Sequence, residues 1–267
     1  RTMHFPRAAG VLLHPTSLPG RFGIGSLGHN AERFIDLLSR CGMQLWQILP
    51  LGPTGYGNSP YQSLSAFAGN PLLICLERLQ RDNLLSESDF AYTPPFDPQR
   101  VDFGKVIPFY TGMLDRAFEK FRHGAFTALR AEYEQFQQEH AEWLSDYALF
   151  SALKQHFGGG PWTDWPTELV RRHSKTMQQW RDKLAGERES VVFQQFLFFR
   201  QWQAIKARTN DAGIRIIGDV PIFVAHDSAD VWANQNRFHL DADGQPKVVA
   251  GVPPDYFSET GQLWGNP

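Results

Sequence analysis

Apolar positions along this chain fall into two alternating rhythms. Residues 9–13 form a short apolar run stopped by Pro15, the pattern of a buried strand. From Ala31, the spacing Phe34, Leu37, Leu38, Cys41 is that of an amphipathic helix, with His29-Asn30 available as N-cap and Gly42 as stop. Residues 44–51 (QLWQILPL) read as a second buried strand. Strand, helix and strand in succession make a βαβ unit, which implies a parallel sheet.

Residues 52–72 are rich in Gly and Pro among Tyr, Ser, Asn and Gln, so they predict a long structured loop of the kind that carries function. Helical spacing returns near residue 110, with Leu114, Ala117, Phe118, Phe121, then Phe126, Leu129, Tyr133, Phe136, then Trp143, Tyr147, Phe150. This helical block extends to about residue 185 and is interrupted by Gly158-Gly159-Gly160-Pro161. Residues 191–210 predict a helix apolar on most sides, hence largely buried, ended by Gly213. Residues 213–224 (GIRIIGDVPIFV) read as a third buried strand with Gly218-Asp219 near its end. Residues 238–249 predict a small hairpin turned at Asp243-Gly244, and a Gly/Pro/aromatic loop closes the chain from Gly251.

Strands feeding helices, with elaborated loops after the strands, suggest an α/β fold of the (β/α)8 TIM-barrel type, where loops at strand C-termini build the site. Only about the first three barrel strands are present. Residues 1–75 would start the barrel and carry a substrate loop, and residues 76–188 would be a mainly helical inserted subdomain. Residues 189–267 would add a barrel helix, the third strand, the hairpin and a covering loop. So short a start to a barrel is expected to leave sheet edges exposed.

Composition narrows the chemistry. A net charge of -2 gives no positive surplus for a nucleic-acid partner. Cys41 and Cys75 form no CxxC, which excludes a disulfide framework and a zinc knuckle. The most apolar stretch, residues 191–199, contains Gln194-Gln195 and is too short for a membrane span; residues 8–13 are too short for a signal-peptide core. A cytoplasmic protein is expected. The 21 Phe, 8 Trp and 7 Tyr make 13% aromatics, and several lie in Gly/Pro-rich loops where no helix or strand period explains them.

Gly23-Ile24-Gly25-Ser26-Leu27-Gly28 matches GxGxxG, but residues 15–22 separate it from the strand and no acid follows the second strand for a ribose, so it reads as a plain Gly-rich loop. Asp241-Ala242-Asp243-Gly244 lacks the further ligands of a calcium loop and reads as a turn. His226-Asp227 follows the third strand and reads first as a hydrogen-bonded structural pair. Two loops remain, residues 55–62 and 252–259, which mix rings with hydroxyl, amide and carboxylate groups on a stiff backbone. That mixture suits a sugar, whose apolar face stacks on a ring while its hydroxyls seek donors and acceptors. Asp219, at the end of a buried strand, is costly as an ion unless it has partners or a ligand.

Four separated segments resemble one family. Residues 56–71 (YGNSPYQSLSAFAGNP) look like the signature of the 4-α-glucanotransferases, the amylomaltases or disproportionating enzymes of glycoside hydrolase family 77. Residues 10–19 with 46–51, residues 218–224 and residues 251–258 are similar to the same family, in order. The resemblance implies an α-amylase-type barrel that cuts an α-1,4-glucan and passes the piece to the 4-hydroxyl of another sugar by a retaining double displacement. It implies that Tyr61 holds a glucose ring near the cleavage point, that Tyr56 makes an additional glucan contact, and that Ser59 and Gln62 meet hydroxyls. It implies that Asp219 is an orienting carboxylate, and that Asp255, Tyr256 and Phe257 lie on a mobile loop over the glucan with Trp264 at its base. The family's nucleophile and acid would follow later strands, so no catalytic residue is assigned; no cofactor and no metal are implied. Glucans and maltodextrins would be donor and acceptor, and the rest of the chain would be needed to close the barrel. A non-catalytic glucan-binding module and an α-amylase-like hydrolase are the alternatives.

Overall fold

The computed structural model describes residues 7–267, the Tyr56 side chain excepted. In chain order the elements are β1 (Gly10–Leu12), α1 (His29–Arg40), β2 (Leu45–Gln47), α2 (Leu76–Arg81), α3 (Phe103–His123), α4 (Thr127–Glu139), α5 (Ala141–His156), α6 (Thr167–Val170), α7 (Ser174–Lys183), α8 (Ala185–Asp211), β3 (Arg215–Ile217), α9 (Ala229–Ala233), β4 (Gly251–Val252) and β5 (Gln262–Leu263). The described residues divide into two compact units: residues 7–51, 69–133 and 194–219, and residues 52–68, 134–193 and 220–267. Among the described residues no helix is long and apolar enough to cross a membrane.

The first unit is built on a three-stranded parallel sheet in the order β1-β2-β3, not closed into a barrel, which is the start of a (β/α)8-type fold. Its register separates two faces. Val11, Trp46 and Ile216 align on one, and Trp46 is fully buried there, its ring edge-on to Phe34 of α1 at 5.3 Å. The indole Nε1 donates to the Leu13 carbonyl at 2.8 Å, so one side chain joins helix, central strand and the end of β1. On the other face Leu12 and Ile217 are 57% and 42% exposed. The expected fully buried strands are therefore shorter than predicted and covered on one face, because helices pack on one side of the sheet and each outer strand has a single hydrogen-bonded neighbour.

Beyond the strands, His14 joins the two segments that the sequence pattern grouped. Its Nδ1 accepts from the Thr16 amide, which leaves the proton on Nε2, 3.3 Å from the Pro50 carbonyl. Burial holds the imidazole pKa below its ordinary value and so keeps it neutral. Helix α1 begins at His29 with Gly28 as its N-cap, one position earlier than the predicted His29-Asn30 cap; Asn30 instead donates to the Pro19 carbonyl at 2.8 Å. The GxGxxG glycines serve packing: Gly25 donates to Thr16, Leu27 to Leu73, and a Cβ on Gly28 would strike Cys75.

Helix α3 buries Val106, Tyr110, Met113, Leu114, Ala117, Phe118 and Phe121, one stripe at three- and four-residue steps. Helix α8 buries Phe193, Phe196, Leu197, Phe198 and Ile205 and, among them, Gln195 and Gln201. Those glutamines fasten the segment before α2. Gln195 accepts from the Gly69 amide (2.7 Å) and donates to the Gly69 carbonyl (2.9 Å); Gln201 makes the same two-point contact with Cys75 at 2.7 and 3.2 Å. A Cβ at Gly69 would run into the Phe198 ring, so the close approach needs glycine.

Replacing Gln195 by Leu keeps the volume but orphans both Gly69 groups. The complete protein is expected to lose about 2–6 kcal/mol, since each of the two buried unpaired polar groups costs about 1–3 kcal/mol. Urea unfolding of Gln195→Leu against the parent measures this; an unchanged midpoint would refute the clamp.

Candidate functional site

The second unit carries both aromatic loops. The first is a pinched hairpin: Thr54 and Ser63 form an antiparallel bridge, and Gly55 donates to the Gln62 carbonyl at 2.7 Å. Its tip turns through Gly57 and Asn58, both in the left-handed region (φ 68° and 54°), where Gly and Asn are tolerated best. Ser63 is buried and donates to the Pro53 and Ser65 carbonyls, and the Ser65 hydroxyl accepts from the Phe67 and Ala68 amides. Held in this way, the hairpin leaves Tyr61 45% exposed, with Ser59 and Gln62 half-buried. Ser59 is partly engaged inside the loop: its hydroxyl faces the Tyr61 amide at 3.4 Å and its carbonyl accepts from Gln62. The Tyr56 side chain lies outside the described residues.

The second loop, residues 253–261, is closed at its neck by the β4–β5 ladder, which pairs Gly251 with Leu263 and Val252 with Gln262. Asp255 builds its interior. One carboxylate oxygen accepts from the Phe257 and Ser258 amides, both at 2.9 Å, and the Ser258 hydroxyl donates to the Gly261 carbonyl. Tyr256 and Phe257 stand at the tip, 97% and 87% exposed, with their rings edge-to-face at 5.6 Å. Fully exposing two large rings forgoes roughly 1.5–3 kcal/mol of burial apiece. At the base, Trp264 donates from its backbone to Ala250 and from its indole to Gln262, and packs its ring 6.0 Å from Phe223. Buried Asn266 ties this base to the Val224 carbonyl at 2.8 Å.

Gln62 of the first loop and Gly265, next to Trp264, line one cavity of about 540 Å³ together with Lys154, His226 and Asp227. Of the described site residues expected from the sequence, only Gln62 lines this cavity, and none of Asp255, Tyr256, Phe257 or Trp264 does. Asp219 sits in the other unit, two residues past β3 and half-buried. His226 and Asp227 act as a strut: Asp227 pairs with the mostly buried Lys154, which also donates to the Gly160 carbonyl. The Trp162 amide donates to Asp227 and its indole to the His226 carbonyl, while His226 Nε2 lies 2.7 Å from the Gly244 carbonyl. The predicted hairpin is reduced to a turn at Gly244 and a single Leu240–Pro246 bridge. Lys154, Ser63, Ser65 and Asn266 were not singled out in the sequence. A lysine within a helix and serines in a loop carry no periodic signal, and only the structure shows what they hold.

The parallel three-stranded sheet places the chain in the (β/α)8-type class of folds, and comparison with known proteins narrows it. The Glyco_hydro_77 family, described as 4-alpha-glucanotransferase, matches residues 13–267, and the chain belongs to that family. It is 53% identical to the 4-alpha-glucanotransferase of Thermus thermophilus over 99% of its length, and 50% identical to that of Synechocystis sp. over 98%. Among solved structures it resembles the amylomaltase from Streptococcus agalactiae in complex with acarbose, with a TM-score of 0.93 at 41% identity over 98% of the chain. The chain spans about half the length of these relatives, 52% of the first two and 53% of the third.

The Asp255 carboxylate is expected to act as the turn-former of its loop. Asp255→Ala should speed hydrogen exchange at the Phe257 and Ser258 amides by roughly tenfold, the scale of about 1–1.5 kcal/mol per lost bond, while Asp255→Asn keeps an acceptor and most of the protection. Equal exchange in Asp255→Ala and the parent would refute this role.

Proposed function

We propose that the complete polypeptide is a 4-α-glucanotransferase that cuts an α-1,4-glucan and transfers the released segment to the 4-hydroxyl of an acceptor sugar, in the cytoplasm. The observation that carries this reading is family membership across residues 13–267. Glucans and maltodextrins are both donor and acceptor. The chemistry is a retaining double displacement: a carboxylate attacks the anomeric carbon, an acid protonates the leaving oxygen, and an acceptor hydroxyl displaces the covalent intermediate. In this reading those two groups lie beyond residue 267, on strands that close the barrel over the open sheet face bearing Leu12, Gln47 and Ile217.

The residues present bind and orient. Tyr61 offers a half-exposed ring to a glucose face on a hairpin pinned by the Thr54–Ser63 bridge, and in this reading Ser59 and Gln62 of the same hairpin meet hydroxyls. Tyr256 and Phe257 offer two more ring faces on a loop whose Asp255 and Ser258 side chains are already used internally. Asp219, following β3, orients a bound sugar through its hydroxyls, and Tyr56 adds a glucan contact.

Incubating the complete protein with maltotriose tests the reaction. Glucose together with longer maltodextrins is expected; glucose and maltose alone would make it a hydrolase, and no turnover would leave only a binding module. In the same assay Tyr61→Ala should lower kcat/KM by about 1–3 kcal/mol of transition-state stabilisation, the worth of one buried aromatic contact. Unchanged kinetics would make the ring structural.

A further inference from the structure

The second unit holds another cavity, of about 320 Å³, which shares no lining residue with the one lined by Gln62 and Gly265. It is lined by Phe67 and Trp143 together with Glu142, Asp230, Asn234 and Arg237. Phe67 is 58% exposed, and its ring stacks within 21° of the Trp143 plane with centroids 6.2 Å apart, so the pair forms a platform of near-parallel ring faces. Trp143 is braced beneath by its indole bond to His140 (3.3 Å) and by Tyr147, 6.1 Å away. The Phe67 backbone is fixed by its amide bond to the Ser65 hydroxyl. Nothing in that platform needs to reorganise to receive a flat apolar face.

Two of the polar groups, Asp230 and Asn234, are fixed as well. Asp230 accepts from the Ala66 amide at 2.8 Å, and Asn234 donates its side-chain amide to the Asp230 carbonyl at 3.0 Å. Burial holds the Asp230 carboxyl above its ordinary pKa. Glu142 and Arg237 are exposed and enter no ion pair among the described residues. A ring platform beside carboxylate, amide and guanidinium groups is what a pyranose requires: one C–H face to stack, and hydroxyls that donate to carboxylates and accept from Arg or Asn. A nucleotide stacks equally well, but its phosphates would meet Glu142 and Asp230 with only Arg237 to offset them. A cationic ligand would meet Arg237.

We propose that this cleft is an accessory site for a glucosyl unit of a polymeric α-glucan, used to hold the chain while a different segment of it reacts; naming the sugar as glucose rests on the function proposed above. Long substrates reach this site and the reacting site at once, so its loss removes avidity for polymers and leaves short substrates alone.

The test uses the complete protein with Phe67→Ala, which removes a mostly exposed ring, and Arg237→Ala as a second variant from the polar side. Each is assayed for maltotriose turnover, for turnover with glycogen as donor, and for retardation on native gels containing glycogen. A roughly threefold to tenfold rise in the KM for glycogen and matching loss of retardation is expected, with kcat and KM for maltotriose unchanged. Unchanged glycogen kinetics and retardation in both variants would overturn the site. A parallel loss on maltotriose and glycogen would also overturn it, since the residues would then belong to the reacting site. Failure of the parent to turn over maltotriose would strike the proposed function alone; retardation by glycogen would still decide the cleft.

Discussion

The irregular loops of this chain face one constraint, that their backbone amides and carbonyls must find partners with neither a helix nor a sheet ladder to supply them. The three strands are three residues each, so ladders account for little of the backbone. Side chains take over. Gln195 and Gln201 pair both backbone groups of Gly69 and Cys75, Ser63 and Ser65 close the first aromatic loop on itself, Asp255 builds the second, and Asn266 anchors its base. Such bonds are individually modest, but removing one leaves buried groups unpaired, which is the expensive outcome. The loops owe their fixed shape to that asymmetry.

The same constraint explains how the sequence could be read and where reading stopped. Helices announce themselves through burial spacing, so the stripe Leu114, Ala117, Phe118, Phe121 and the apolar faces of α8 were legible. Strand existence and order were legible too, because apolar runs around Val11, Trp46 and Ile216 stand between turn residues. Strand length and burial were not. An apolar run cannot say whether one or both faces are covered, and here Leu12 and Ile217 lie on an uncovered one. Gln195 looked like an interruption of an apolar segment, since its partner, the Gly69 backbone, is 126 positions away and leaves no local trace.

At the candidate site, residue type alone identified which side chains sit in the loops but not the direction in which each is used. Asp255 and Tyr256 are neighbours in one motif, yet the carboxylate bonds to its own loop while the ring is almost wholly exposed. His226 and Asp227 have the hydrogen-bonded structural role that the sequence suggests: His226 is bound to the Gly244 carbonyl and the Trp162 indole, and Asp227 to Lys154 and the Trp162 amide. Aspartate serves an Asx turn as readily as a ligand, and only hydrogen-bond geometry separates the two uses.

A division of labour follows between polar and aromatic groups. In both loops much of the polar chemistry is turned inward to stiffen the backbone, and the rings are what remains for a ligand. Stacking on a ring face is tolerant of which sugar unit along a repeating chain is bound, whereas a set of directed hydrogen bonds would hold one register. A surface that must bind a uniform polymer at several positions, and release it, is better served by rigid rings on braced loops than by free carboxylates. The Phe67–Trp143 platform follows the same design: the bracing comes from Ser65, His140 and Tyr147, and the exposed face is aromatic.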